Sequence, residues 1–164
     1  MSAERPSIFV YGAGRVGLAI AGLARREGLP VVGLWNPRPL RPERARLAEG
    51  LTLAVGGAPL PAEAEIWLVA TPDDSIAETG KRLASSFADA GGPRPLCAAH
   101  CAGAHTSELL TPLARIGVPC GSWHPALTFR GAADDPQALA RAVVAVEGDA
   151  AASGPLEALA DALG

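Results

Sequence analysis

The sequence predicts an α/β protein built on a doubly wound, mainly parallel sheet. Three features predict it: short, almost continuously apolar runs suited to strands covered on both faces, stretches with helical spacing between them, and alternation of the two over nearly the whole chain. At 164 residues the chain has the length of one domain that buries about two thirds of the surface its unfolded form exposes. Residues 1–164 are therefore read as a single domain.

The elements follow in order. Ile8-Phe9-Val10-Tyr11 is a β-prone run that stops at glycine, and 15–27 carries Val16, Ile20, Leu23 and Ala24 at helical spacing before a closing Gly28. Val31-Val32-Gly33-Leu34-Trp35 is a second buried strand, which completes a β-α-β unit by Asn36. A short arginine-rich helix over 41–49 leads to strands at 51–55 and 65–70. Asp73 and Asp74 then open a helix that continues over 75–87. A fifth strand is expected at 96–100, a helix at 107–116 interrupted or started at Pro112, and a sixth strand at 118–122. After a loop come a helix from Gln137, an apolar strand at 142–146, and a last helix beginning at Ser153-Gly154-Pro155 with proline in its first turn. The Pro- and Gly-rich stretches 37–42, 56–61 and 91–95 fall between elements and read as loops.

Composition excludes several function classes. With 49% hydrophobic and 19% charged residues and a mean hydropathy of +0.21, the chain is neither a disordered tail nor a coiled coil. A net charge of −3 argues against nucleic acid or anionic membrane as a partner, so an anionic ligand needs a local arrangement. No apolar run approaches the length that spans a bilayer, and the start Met1-Ser2-Ala3-Glu4-Arg5-Pro6 lacks a signal-peptide pattern, so a cytoplasmic location is expected. Cys97, Cys101 and Cys120 are an odd number and are read as reduced thiols. Thirteen of the fourteen basic residues are arginine; Lys81 is the one lysine.

Gly12-Ala13-Gly14-Arg15-Val16-Gly17 is a G-x-G-x-x-G turn placed directly after the first strand and opening a helix. In that context the three glycines do different things. Gly12 makes the tight turn, Gly14 lets backbone approach a pyrophosphate, and Gly17 lets helix and strand pack closely. The helix N-terminus adds unpaired N–H groups and the positive end of its dipole. A Rossmann NAD(P)-binding fold with a dinucleotide ligand is expected.

The end of the second strand chooses among ligands, because an acidic residue there grips ribose hydroxyls in NAD sites. Here the residue is Asn36, followed by Pro37 and Arg38 and then by Arg41, Arg44 and Arg46. A guanidinium suits the 2′-phosphate of NADP by charge and by bidentate geometry, so NADP is preferred over NAD and Arg38 is assigned the phosphate. Arg44 and Arg46 are read as the solvated face of a short helix.

Three segments together carry a family resemblance: Gly12 to Gly17, Ala70-Thr71-Pro72-Asp73-Asp74, and Gly121-Ser122-Trp123-His124-Pro125 with Thr128-Phe129. They resemble the phosphogluconate-dehydrogenase-like superfamily of Rossmann reductases, especially members that carry a C-terminal helical domain of unknown function. The resemblance implies that Thr71 and Pro72 lie beside the cofactor at the end of the fourth strand. It also implies an H-x-S-G-A segment at the end of the fifth. This chain has His100-Cys101-Ala102-Gly103-Ala104 there, so Ala102 replaces the serine. Relatives continue into a helical domain that completes the active site and usually the dimer. That domain is expected to be missing here, which leaves Leu156, Leu159 and Leu163 of the last helix in need of another surface and leaves Lys81 in the wrong place to be the family's proton donor.

All three histidines and all three cysteines fall between Cys97 and His124. Zinc uses these ligand types, but no C-x-x-C pair is present and strand alternation sends Cys97 and Cys101 to one face and His100 to the other, so no metal site is assigned. Cys97 and Cys120 read as small core residues, and Trp35, Trp67 and Trp123 as core or interface aromatics. His100 and His124 sit at the carboxyl ends of neighbouring strands, where open α/β sheets bind ligands. His124 is the catalytic candidate, as general acid or substrate hydrogen-bonding group, against a structural histidine satisfied by backbone. The expected function is the NADP-binding domain of an oxidoreductase acting on a small carbonyl or imine, inactive as an isolated chain, with a homo-oligomer or partner chain covering the open surface. The competing reading is a non-catalytic Rossmann module for nucleotide or protein binding.

Overall fold

A computed structural model describes residues 5–59 and 61–164. Most of the N-terminal segment 1–6 (residues 1–4) and Leu60 of the 56–61 loop lie outside the described residues. Seven strands form one sheet: β1 (Ile8–Tyr11), β2 (Val31–Asn36), β3 (Leu53–Val55), β4 (Ile66–Val69), β5 (Cys97–His100), β6 (Cys120–Pro125) and β7 (Val144–Gly148). They lie in the order β3-β2-β1-β4-β5-β6-β7. The first six are parallel and β7 runs antiparallel to β6. The chain thus starts in the middle of the sheet, winds outward to β3, then crosses back through β4. This doubly wound order leaves a crevice at the β1/β4 switch point.

Side-chain alternation divides the apolar residues between two helical layers. On one face Ile8, Val10, Leu34, Leu68, Cys97 and Trp123 pack with α1 (Arg15–Arg26) and α6 (Ala150–Leu163). On the other, Tyr11, Trp35, Trp67, Ala98 and Cys120 pack with α3 (Asp73–Ala90), the 3₁₀ turn Ser107–Leu110 and α4 (Thr111–Ala114). Two shorter helices, α2 (Pro42–Leu47) and α5 (Asp135–Leu139), complete the chain. The tryptophans are core residues; Trp35 and Trp67 donate their indole N–H groups to Gly56 O and Ala62 O at 3.1 and 3.0 Å. The phenol of Tyr11 accepts from Ala62 N–H at 3.2 Å, and burial pushes its ionisation well above the usual range.

The C-terminal third departs from expectation in three ways. The sixth strand starts two residues later and runs through His124 and Pro125, because β7 pairs with it up to Pro125↔Val144 and extends the ladder. The last helix begins at Ala150, not Ser153, so Pro155 lies inside it rather than in its first turn. Asp149 sets that start: its N–H donates to Cys120 O at 2.9 Å and its carboxylate accepts Cys120 N–H at 2.8 Å, which turns the chain off the end of β7. Pro155 then costs one helical hydrogen bond, and the residue its ring faces one turn back is the small Ala151. Finally, Leu156, Leu159 and Leu163 need no further surface. They are 0%, 0% and 3% exposed, in the layer formed with α1, because α6 folds back over β5, β6 and β7. Burying each contributes about 1.5–3 kcal/mol.

Candidate functional site

The carboxyl ends of β1, β2 and β4 enclose a groove of about 770 Å³ at the switch point. Its floor is the glycine turn. Gly12 adopts φ +115°, and a Cβ there would lie 2.7 Å from the carbonyl of Ala70, so only glycine lets β1 turn this close to β4. A Cβ on Gly17 would lie 1.9 Å from Gly12 O, which is the close approach of helix to strand. Gly14 differs from both. A side chain there would meet nothing within 4 Å beyond its own chain neighbours and helix, and it would project into the groove.

Gly14 is also the N-cap of α1; no side chain caps the helix and its first turn holds no acidic residue. The main-chain N–H groups of Arg15, Val16 and Gly17 are therefore the orphan donors at the positive end of the helix dipole. Ala13 is buried beneath the turn, and the Arg15 side chain points away, its guanidinium donating to Phe129 O at 3.3 Å. Of these two residues, only the backbone of Arg15 is available to a ligand.

The β2 end of the groove is basic. Asn36 Oδ1 accepts Ala13 N–H at 3.0 Å and its Nδ2 donates to Arg38 O at 2.6 Å, so this amide braces the glycine turn against the following loop. Arg38 lines the groove, and its guanidinium has no partner among the described residues. So does Arg44, which is exposed on α2, as a solvated face requires, and at the same time borders the groove. Arg46 lies instead in a separate groove on the outer face of α1, where Arg25 donates to Glu49 O at 2.6 Å.

The opposite wall comes from the β4 end and α3. Thr71 and Pro72 follow β4 and line this wall, and Thr71 Oγ1 is buried without a hydrogen-bond partner among the described residues. An orphaned hydroxyl on a groove wall costs free energy until something bonds to it. Asp74, Ser75, Glu78, Thr79 and Arg82 continue this wall. Sequence reasoning missed Glu78, Thr79 and Arg82, although the 74/75/78/79/82 spacing places them on one helical face.

The histidines gather on the same edge, about 10 Å further along the sheet at β5 and β6. His100 is fully buried; its Nδ1 accepts Ala102 N–H at 3.2 Å, so Nε2 carries the proton and donates to Thr106 O at 2.9 Å. At His124 the partner of Nδ1 is the carbonyl of Cys101, at 3.1 Å, which only accepts; Nδ1 therefore carries the proton. His124 Nε2 has no partner among the described residues. His105 approaches Asp73 at 3.9 Å, so all three histidines bind the 101–106 loop to its surroundings. His124 is not among the residues lining the groove.

The thiols do not share a site with these rings. Cys97 and Cys101 belong to the α1/α6 layer and Cys120 to the α3 layer, and burial pushes all three up to about 12. Among the described residues no three His, Cys, Asp or Glu side chains gather as a metal-binding group. Nor is any helix among them long and apolar enough to cross a membrane.

Known proteins share this architecture. The chain is similar to prephenate dehydrogenase from A. aeolicus, solved with NAD+, with a TM-score of 0.69 and 15% identity over 100% of this chain and 59% of that one. Pyrroline carboxylate reductase from Plasmodium falciparum, solved with NADP bound, gives 0.67 and 10% over 99% and 57%. For 3-hydroxyisobutyrate dehydrogenase from Salmonella typhimurium the values are 0.66 and 20% over 96% and 53%. The chain thus spans a little over half the length of each. No curated protein matches it in sequence. The sequence profile of the Rossmann-like domain matches residues 1–125, and with the strand order and the glycine turn this makes the chain a member of the Rossmann-like domain family.

Proposed function

We propose that this chain is the NADP-binding domain of a cytoplasmic oxidoreductase acting on a small carbonyl or imine. The observation that carries the reading is the pairing of an open, uncapped glycine turn at Gly14 with two guanidinium groups, Arg38 after β2 and Arg44 on α2, that border the same groove and have no partner among the described residues. Such a groove fits a dinucleotide with a third phosphate. The N–H groups of Arg15, Val16 and Gly17 would hold the diphosphate, Arg38 and Arg44 the 2′-phosphate, and the orphaned Thr71 hydroxyl would gain a partner. Pro72 would close the same wall.

A nicotinamide cofactor supplies the hydride when bound. The protein's own part is to orient it and to manage a proton. His124 is the residue for the proton: Cys101 fixes its ring, and its free nitrogen sits at the carboxyl edge shared with the groove.

Calorimetric titration with NADPH and NADH tests the reading. NADPH should bind at least ten times more tightly, and Arg38→Ala should remove most of that ratio, since a charge-assisted pair contributes about 1.5–3 kcal/mol. Equal affinities for the two nucleotides, or an unchanged ratio in the variant, would sink the phosphate assignment.

A further inference from the structure

The buried face of α3 consists of Ile76, Thr79, Gly80, Leu83, Ala84 and Phe87, and Thr79 is its one polar side chain. A threonine inside a helix can return its hydroxyl to the carbonyl one turn back. Thr79 does not: only 6% of it is exposed, yet its Oγ1 has no hydrogen-bond partner among the described residues. The little of it that is exposed borders the groove at the switch point. An unpaired hydroxyl in a buried position costs free energy, and a valine of the same shape would serve the fold better.

In a dinucleotide the ribose that carries the 2′-phosphate also carries the base. A ligand held at Arg38 and Arg44 therefore sets its base within one sugar's width of them, in the same groove. Two groups on the lining suit a flat base there. Trp35, 5% exposed, has its indole N–H committed to Gly56 O and offers the groove apolar surface. Thr79 offers an oxygen with free lone pairs. We propose that Thr79 is a specificity-determining residue, whose hydroxyl accepts the exocyclic N–H of an aminopurine base seated against Trp35. The assignment rests on the dinucleotide reading of the groove. NADPH and NADH carry the same base, so Thr79 serves both alike, whereas Arg38 and Arg44 act on the phosphate of one.

Calorimetric titration of the full chain with NADPH, NADH and an NADPH analogue bearing hydrogen in place of the base's amino group tests this. Thr79→Val, which keeps the shape of the side chain, should weaken NADPH and NADH by the same factor, about three- to tenfold for a neutral hydrogen bond. Thr79→Ser should restore both. The analogue should bind the wild-type chain more weakly than NADPH by a like factor and should bind wild type and Thr79→Val equally, a coupling that a purely structural role would not produce. Urea midpoints should be unchanged or higher in Thr79→Val, because the hydroxyl has no partner in the fold. Unchanged affinities in Thr79→Val, additive losses, or equal binding of NADPH and the analogue by the wild type would overturn the proposal. The last comparison needs no variant, so it decides the matter even if Thr79→Val does not fold. A wild-type chain that binds neither nucleotide overturns the proposal together with the dinucleotide reading. Equal affinities for NADPH and NADH sink the phosphate assignment alone, and NADPH binding that ignores Thr79 sinks this one alone.

Discussion

Gly17 lies so close to the carbonyl of Gly12 that a Cβ on it would stand 1.9 Å from that oxygen, while a Cβ on Gly14, three residues earlier, would meet nothing. Three glycines of one short turn therefore answer to different constraints: Gly12 and Gly17 to the fold, Gly14 to what enters the groove.

Substitution separates these roles. Gly14→Val should leave the circular dichroism spectrum unchanged and abolish nucleotide binding in a calorimetric titration, because its branched side chain fills the space a diphosphate needs. Gly17→Ala should instead lower stability by several kcal/mol, on the order of an overpacked core, seen as a lower urea midpoint. Retained binding in Gly14→Val would show the turn to be structural alone.

Arg44 offers a second handle on the basic end of the groove. Arg44→Ala should weaken NADPH by about 1.5–3 kcal/mol and leave NADH nearly unchanged. Arg46→Ala, on the outer face of α1, should change neither. Titrations of the two variants side by side decide whether α2 contributes a phosphate ligand.

The buried thiols predict a loss of stability in alkali. Cys97, Cys101 and Cys120 are raised to about 12 from 9.0, so each ionises in the unfolded chain first. The stability they contribute is fully present below pH 9 and is lost between pH 9 and pH 12. Moving from pH 8 to pH 10 should cost about 1 kcal/mol per thiol, and urea midpoints should fall less in Cys→Ala variants. In the native chain at pH 8, iodoacetamide should label none of the three within the time that it labels all of them in urea.

Catalysis by the chain alone is a sharper question. Hydride transfer requires substrate held within about 3–3.5 Å of the reacting carbon, and half-buried His124 is not among the residues that line the groove. NADPH oxidation with small keto acids or imines should therefore stay at background in an absorbance assay, in the wild-type chain and in His124→Ala alike. Robust turnover that vanishes in His124→Ala would mean that the chain, through self-association, builds a complete active site.

Local sequence determined the first two thirds of this protein. Buried parallel strands and one-faced helices have periods that can be read residue by residue, and the glycine turn works through backbone geometry set by its own residues. That made β1 to β5, α1, α3 and the positions of Gly12, Gly14, Gly17, Thr71 and Arg38 legible. Tertiary contact decided the rest. The reach of β6 to Pro125 depends on pairing with β7, the start of α6 on Asp149 bonding Cys120, and the burial of Leu156, Leu159 and Leu163 on where that helix lands. The place of Arg44 on the rim of the groove and the tautomer of His124 come from partners distant along the chain. Those partners are brought together only when the sheet closes, so no pattern around these residues could announce them.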